Sequence, residues 1–277
     1  MKRKAGAEGR AGVAVRSVLE KLEGVRGCRV GLCAEELEGP LAGVAFGLGE
    51  DEALPSANLI KVLVLAELLR QADSGQLPLE DGLLVGEDDL VGDSEMLEAM
   101  ALPARLSYRD LAEGMITVSD NAATHLLIRC VGMGRVNALA GEFGLRRTFL
   151  RRGMMDFGAR SRGQENTTSA SDMVALMREI WAGSSLTSGS RELVLGLLLD
   201  QRLTSKVSAS PPDGARYAHK TGELDGVEND AGIFLLPGCS FALAALVEGE
   251  VGRSVAPVSE ALRALCWFYA GAEEARA

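Results

Sequence analysis

The chain has 277 residues, 47% of them hydrophobic and 25% charged, which is the ordinary balance of a folded globular protein and excludes general disorder. Its formal net charge of −10 argues against a nucleic-acid partner, because neutralising phosphates requires a basic face. No stretch approaches the roughly 20 apolar residues of a membrane span, so we expect no membrane segment.

The cysteines and histidines favour neither a metal site nor a redox site. Five cysteines occur without a C-x-x-C spacing, and two histidines are too few for a histidine-rich metal site. We therefore expect no metal and no cofactor. Residues 1–24 begin with positive charges but have no apolar run behind them, so we expect a cytoplasmic protein; a secreted chain already trimmed of its leader would look the same.

The predicted elements begin with an amphipathic helix over residues 11–25, where apolar side chains recur at helical spacing. Two strands follow, CRVGLCAEEL (28–37) and LAGVAFGLGE (41–50), joined around Gly39 and Pro40. From Leu59 to about Asp200 the periodicity is helical. The predicted helices cover residues 59–73, 107–116, 120–131, 134–143, 171–182 and 190–200, and Ser107 with Asp110 forms a capping box at the start of the second.

Strand character returns in the last quarter of the chain. YAHKTGEL (217–224), DAGIFLLPG (230–238) and SFALAALVEG (240–249) read as strands, and SEALRALCWFYAG (259–271) reads as a closing helix. Strands at both ends around a helical middle predict an α+β protein of the broad α/β class. Residues 1–53 and 205–277 would form a sheet lobe, and residues 54–204 an inserted helical lobe.

Three short polar motifs fall where these elements begin or end: NLIK (58–61), SDN (119–121) and KTG (220–222). Residues three apart share a helix face, so the side chain at position 58 is expected beside the Lys61 amine. Burial there would lower the lysine pKa and let the amine act as a base. Taken singly, however, Asn58 reads as an ordinary helix N-cap, and residues 119–121 read as a capped helix start.

In this order the motifs resemble the S-x-x-K, S-D-N and K-T-G of class A serine beta-lactamases and the related penicillin-binding proteins. The longer phrases LIKVLVLAELLRQ, LAEGMITVSDNAATHLL and HKTGELDGVENDAGIF extend the resemblance over most of the chain. It implies a five-stranded antiparallel sheet flanked by helices, with an inserted all-helical lobe. It also implies acyl transfer from a beta-lactam, or from a related amide or ester, without a metal.

The resemblance assigns a role to each matching position. Lys61 would be the base and Ser119 would relay a proton to the leaving nitrogen. The backbone N–H groups of Asn58 and Glu223 would form the oxyanion hole. The resemblance also assigns Lys220, Thr221 and Gly222 to substrate binding, with Lys220 and Thr221 binding the substrate carboxylate. Asn121 would hydrogen-bond the substrate's side-chain amide.

Two departures put turnover in doubt. Asn58 stands where the family has its nucleophilic serine, and an amide cannot form a stable acyl-enzyme. Ser56 is the nearest hydroxyl but should lie off the helix face that carries Lys61. The glutamate that activates the deacylating water in the family would fall near Met155, and Asp156 beside it is either a displaced base or a carboxylate that anchors the loop.

Three functions remain open from the sequence. The chain is a hydrolase scaffold whose nucleophile has been replaced, naturally or by design. Alternatively, it is a module that binds or senses beta-lactam-like or cell-wall-peptide ligands through Ser119, Asn121, Lys220 and Thr221. In the third, it hydrolyses unrelated small amides or esters with a different nucleophile. The expected partner in each case is a small molecule or peptide, and the oligomeric state stays open.

Overall fold

The computed structural model of the chain describes residues 10–23, 25–207 and 214–271. The helices are α1 (Arg10–Leu22), α2 (Ile60–Asp73), α3 (Glu95–Glu98), α4 (Tyr108–Thr117), α5 (Asn121–Val131), α6 (Met133–Glu142), α7 (Phe157–Ser161), α8 (Ala170–Ala182), α9 (Ser188–Leu199) and α10 (Val251–Ala270). The strands are β1 (Cys28–Glu38), β2 (Ala45–Leu48), β3 (Leu54–Pro55), β4 (Gly82–Val85), β5 (Ala104–Ser107), β6 (Thr167–Thr168), β7 (Arg216–Leu224), β8 (Val227–Leu236) and β9 (Cys239–Gly249).

Five strands from the two ends of the chain form one antiparallel sheet in the order β2-β1-β9-β8-β7. The predicted five-stranded antiparallel sheet is therefore confirmed. The central strands β8 and β9 are buried over almost their whole length, which explains why their sequences read as continuous apolar runs rather than as an alternation. The strand β7, which carries the KTG motif, lies at the edge of the sheet.

One face of the sheet packs against α1 and α10 in one apolar cluster, and α10 joins the strands through stacked aromatic rings. Tyr217, Phe234, Phe241 and Tyr269 form a continuous stack with ring centroids 4.0 to 4.9 Å apart. The buried Tyr269 hydroxyl donates to the backbone oxygens of β1 and of the residue just before β2, each at 3.1 Å. This aromatic contact ties the last helix to the strands near the N terminus.

The helix α2 lies at the centre of the core on the other face of the sheet. Every residue from Ile60 to Leu69 is buried, including Lys61 and Glu67. A helix that is apolar on all sides must be surrounded by protein, so the first turn of α2 is held from every direction. Both ionisable side chains that it carries into the core are hydrogen-bonded. Lys61 donates to the Ser119 backbone oxygen at 2.6 Å, and Glu67 accepts from Arg70 at 2.9 Å.

The long elements were predicted well, and the differences have local causes. The helix α10 begins at Val251, eight residues before the predicted start, because Pro257 is tolerated inside its early turns and hides the helical pattern. The lobe predicted to be all-helical also contains two short strand pairs, β3 with β6 and β4 with β5, which were not predicted because such short strands carry little periodicity. The division into two lobes at residues 53–54 and 204–205 stays a prediction.

In the part of the chain that the structure describes, no helix combines the length and the hydrophobicity that crossing a membrane requires.

The central position of α2 generates a stability prediction. We expect Leu63→Ala to lower the free energy of unfolding by about 2–5 kcal/mol, because the fully buried side chain leaves a cavity in a packed core. The matched control is Leu84→Ala on β4, whose side chain is exposed, and its effect should stay within about 0.5 kcal/mol. Urea unfolding followed by circular dichroism measures both; equal effects would contradict the assigned core.

Candidate functional site

A cleft of about 430 Å³ opens between the start of α2, the start of α5, the loop over residues 151–166 and the edge strand β7. Its volume is in the range of sites that hold small molecules. The cleft is lined by Asn58, Ser119, Asn121, Thr221, Gly222 and Glu223, among others. Five positions from the three distant motifs, and Glu223 directly after the last motif, thus meet at one cavity.

The turn that carries Asn58 differs from the sequence prediction. Taken singly, Asn58 reads as a helix N-cap, but it lies inside a short 3-10 turn from Ala57 to Leu59 that leads into α2. Ser56 takes the capping position, and its side chain makes no capping hydrogen bond. The reason is the backbone of Ala57, whose φ of 45° redirects the chain just before position 58. Because Asn58 lies within this turn, its side chain does not cap α2.

The Lys61 amine connects α2 to the SDN motif. It lies 2.6 Å from the backbone oxygen of Ser119, 3.1 Å from the Ser119 hydroxyl and 2.9 Å from Oδ1 of Asn121. An ammonium would donate all three bonds. A neutral amine would donate to the two carbonyl-type oxygens and accept the hydroxyl proton of Ser119 on its lone pair. The contact therefore provides a path for a proton between Lys61 and Ser119.

Two buried amines lie under the cleft. Burial lowers the pKa of Lys61 well below its ordinary value, and the charge of Lys220 lowers it further. Burial also lowers the pKa of Lys220 to about 7, while the carboxylate of Asp230 acts in the opposite direction. Lys220 donates to the Thr221 backbone oxygen at 3.1 Å. The floor of the cleft therefore holds two lysines with lowered pKa values, and Lys220 is poised to change its charge near pH 7.

Asp120 holds the SDN motif in place. Its Oδ1 accepts from the backbone N–H of Ala123 and caps α5, and its Oδ2 accepts from the backbone N–H groups of Met96 and Leu97 in α3. One buried carboxylate thereby joins two helices next to the cleft. The predicted capped helix start is present, and it fixes the position of the neighbouring Ser119 hydroxyl.

Gly222 lets the edge strand approach the start of α2. A Cβ atom at position 222 would lie 3.1 Å from the backbone nitrogen of Asn58 and 3.3 Å from the backbone oxygen of Ser56. Such contacts are too tight for any larger residue without a shift. Asn229 on the next strand holds the same junction, since its side chain donates to the Pro55 oxygen at 2.9 Å. The backbone N–H of Asn58 is in this way held close to β7.

The loop over residues 151–166 is fixed by buried polar contacts. Arg152 is bound by both Nε and Nη2 to one carboxylate oxygen of Glu165, at 3.0 and 2.7 Å. The Asn166 side chain accepts from the backbone N–H groups of Arg151 and Arg152, at 2.7 and 3.0 Å. Met154 lines the cleft, whereas Asp156 does not: its side chain caps the short helix α7 by accepting from Ala159.

Backbone strain is concentrated around the cleft. Among the described residues, the non-glycine positions with positive φ are Ala57, Asp93, Ser119 and Met155, with φ between 45° and 60°. All four line the cleft. A left-handed backbone at such residues costs free energy and persists where surrounding contacts impose it, which happens mostly at functional sites. No sequence signal could have singled out Ala57, Asp93 or Met155.

The comparisons with known proteins agree with this geometry. The profile of the beta-lactamase enzyme family matches residues 14–265. The chain belongs to that family. It is 27% identical over 183 residues to beta-lactamase AER-1 from Aeromonas hydrophila, a match covering 65% of this chain and 60% of that protein. It is 28% identical over 260 residues to a beta-lactamase from Streptomyces albus G, covering 89% and 82%.

A solved structure of similar shape is a mutant of PBP-A in an acyl-enzyme complex with penicillin-G. Its TM-score is 0.82 at 25% sequence identity, over 92% of this chain and 95% of that one. The resemblance read from the three motifs, and the fold it implied, are confirmed.

Two side chains near the beta-lactamase-type motifs lie outside the cleft. Ser56, the alternative nucleophile, is fully buried, and its hydroxyl points to the Ala57 oxygen at 3.4 Å. His219 lies 2.9 Å from Asp230 and stacks on Tyr217. Within residues 10–23, 25–207 and 214–271, no three His, Cys, Asp or Glu side chains are grouped to hold a metal ion.

The depressed pKa of Lys220 predicts a pH dependence of stability. Between the folded value of about 7 and the ordinary value of 10.5, the unfolded chain binds a proton that the folded protein lacks. Lys220 therefore makes the free energy of unfolding increase as pH rises through this window, and decrease as pH falls.

Lys220→Met should remove this contribution. The variant is expected to gain stability relative to the parent as pH falls from 10 to 7, by up to about 1.4 kcal/mol per pH unit. Urea unfolding of both proteins across that range measures the difference. Titrations of residues that do not interact with Lys220 cancel in it, whereas Lys61 contributes because the variant removes the charge that lowers its pKa. A difference independent of pH would show that Lys220 has an ordinary pKa.

Proposed function

We propose that this member of the beta-lactamase family binds beta-lactam-like or cell-wall-peptide-like amides reversibly, without forming an acyl-enzyme. The observation that carries the proposal is the set of strained residues around the cleft, from Ala57 to Met155. Strain of this kind is costly, so its presence beside the Lys61 and Ser119 pair supports a cleft that still engages a ligand.

Recognition would use groups that do not depend on the side chain at position 58. The backbone N–H groups of Asn58 and Glu223 would donate to the amide or lactam oxygen. Lys220 in its charged form and the Thr221 hydroxyl would bind a carboxylate, and Asn121 would bind a side-chain amide. Each of these positions lines the cleft except Lys220, which is fully buried and hydrogen-bonded to the Thr221 backbone oxygen.

Turnover would fail at both chemical stages. The amide of Asn58 cannot attack a carbonyl, and the Ser56 hydroxyl is fully buried and outside the cleft lining. For deacylation, the loop presents Met154 and Met155 to the cleft, while the Asp156 carboxylate is used to cap α7. A bound lactam would therefore meet a proton relay at Lys61 and Ser119 but no nucleophile.

The relatives support the ligand class. The similar PBP-A mutant was solved as an acyl-enzyme complex with penicillin-G, and two similar curated proteins are beta-lactamases. The fully buried position of Ser56 gives no support to hydrolysis of unrelated esters by that residue.

Restoring the nucleophile provides the sharpest chemical test. Asn58→Ser places a hydroxyl beside the depressed-pKa amine of Lys61, so a penicillin should acylate it. Intact-protein mass spectrometry with benzylpenicillin should show a persistent adduct on Asn58→Ser and none on the parent chain. Persistence is expected because neither Met154 nor Met155 can activate a water.

The control is Asn58→Ser/Lys61→Met, which should form the adduct far more slowly because it has no base. An adduct on the parent would mean that another residue attacks. Rapid hydrolysis by Asn58→Ser with no accumulated adduct would show that the 151–166 loop does supply a base.

Binding by the parent chain is a separate prediction. Benzylpenicillin should give saturable heat in isothermal titration calorimetry, and Thr221→Val should weaken affinity about tenfold, since a hydrogen bond to a charged group is worth about 1.5–3 kcal/mol. The substitution keeps the side-chain shape, so an unchanged melting temperature serves as the control. Absence of heat at millimolar ligand, with the fold intact, would rule out reversible recognition.

A further inference from the structure

Three side chains form an exposed row outside the cleft lining. Arg147, Phe149 and Arg151 are exposed, whereas residues 148, 150 and 152 are buried. Such alternation is typical of an extended backbone. Phe149 also pairs antiparallel with Thr167, through two backbone hydrogen bonds of 3.0 and 3.1 Å. The three side chains, which we call the Arg-Phe-Arg row, therefore project from one face of an extended segment.

The buried side of this segment holds the row in place. The Thr148 hydroxyl donates to the Asp172 carboxylate at 2.8 Å. The Leu150 backbone donates to and accepts from the Asn137 side chain, at 2.8 and 2.9 Å. These contacts fix the backbone between the two arginines, so a partner that binds the row has little of it to order.

Both arginines of the row have donors left for a partner. Arg151 uses Nη1 for the Glu165 backbone oxygen and the Thr167 hydroxyl, and its guanidinium lies 4.5 Å from the centroid of the Phe149 ring. Within the residues that the structure describes, Arg147 makes no ion pair and no side-chain hydrogen bond. Phe149 between them is 40% exposed. The row thus combines cations that lack carboxylate partners with an exposed aromatic ring.

The charge of the whole protein restricts the kind of anion that fits. Residues 146–165 carry six arginines and two carboxylates, whereas the chain as a whole has a net charge of −10. The row is about 13 Å long, from four residues at about 3.3 Å each. A membrane or a nucleic acid is wider than this, and it would also face the acidic remainder of the surface within a Debye length of about 10 Å. A single extended peptide can contact the row alone.

We infer that the Arg-Phe-Arg row docks an extended acidic peptide segment of a partner protein, with two carboxylates four residues apart and an apolar side chain midway between them. The carboxylates would accept from the guanidinium groups of Arg147 and Arg151, and the apolar side chain would cover Phe149. Alternate side chains of an extended peptide share one face and have the spacing of the row. This site is separate from the cleft and does not depend on the function proposed for it.

Two synthetic peptides of equal composition test the inference. Ac-Thr-Glu-Thr-Leu-Thr-Glu-Thr-amide has the required spacing, and Ac-Thr-Leu-Thr-Glu-Glu-Thr-Thr-amide has adjacent carboxylates. In NMR titrations of the whole chain at low salt, the first peptide should shift the Nε–H signals of Arg147 and Arg151 saturably. It should bind about threefold more tightly than the second, because only the first can reach both guanidinium groups at once. High salt should weaken its binding.

Substitutions identify the residues responsible. Arg147→Gln is the cleanest variant, because the fold loses no ion pair or side-chain hydrogen bond with it. It should weaken the first peptide about threefold, as should Phe149→Ala. The matched control is Arg105→Gln, which removes an exposed arginine of β5 with the same change of charge and should leave the affinity unchanged. Unchanged melting temperatures would show that each variant is folded.

Several results would overturn the inference. Equal affinity of the two peptides, or equal weakening by Arg147→Gln and Arg105→Gln, would show attraction by charge alone. No saturable shift of the folded chain at millimolar peptide would show that the row binds no such segment. Phosphatidylglycerol vesicles and heparin serve as broad polyanions, and a tighter response of the Arg147 signal to either one would assign the row to a different class of partner.

Discussion

The site depends on two lysine amines that the fold buries under one cleft. Lys61 enters the core with α2, and Lys220 enters with the edge strand β7, so neither has water to stabilise its charge. The charge of Lys220 lowers the pKa of Lys61 in addition to burial, whereas the pKa of Lys220 is lowered by burial and raised by Asp230. The hydrogen bonds from Lys61 to Ser119 and Asn121 offset part of the free-energy cost of burying the amine. They also join the helical core to the SDN motif.

Those contacts explain why the cleft keeps its form with an amide at position 58. The bend before Asn58 comes from the backbone of Ala57, from Gly222 against the turn, and from Asn229 holding Pro55. None of these contacts requires a serine. Recognition by backbone donors and covalent attack by a side chain are therefore separable in this molecule, and the proposed reversible binding uses only the first.

Much of the fold could be predicted from the sequence, because its long elements carry strong periodicity or clear caps. The capping box of Ser107 and Asp110 marks the start of α4 correctly, and the apolar runs of β8 and β9 identify central strands. Order and spacing of the three motifs were enough to predict a shared cleft. Local propensity alone misleads at Asn58, which taken singly reads as a cap, since contacts from a strand more than 160 residues away decide that turn.

The central claim is that both amines share one buried environment and have strongly lowered pKa values. The chain has only six lysines, so the Cε and Nζ signals of a lysine-labelled sample can be assigned by Lys61→Met and Lys220→Met. An NMR titration should show Lys220 changing charge near pH 7 and Lys61 well below its ordinary value of 10.5. Titration of both amines near 10.5 would contradict the account, because it would place them in water rather than under the cleft.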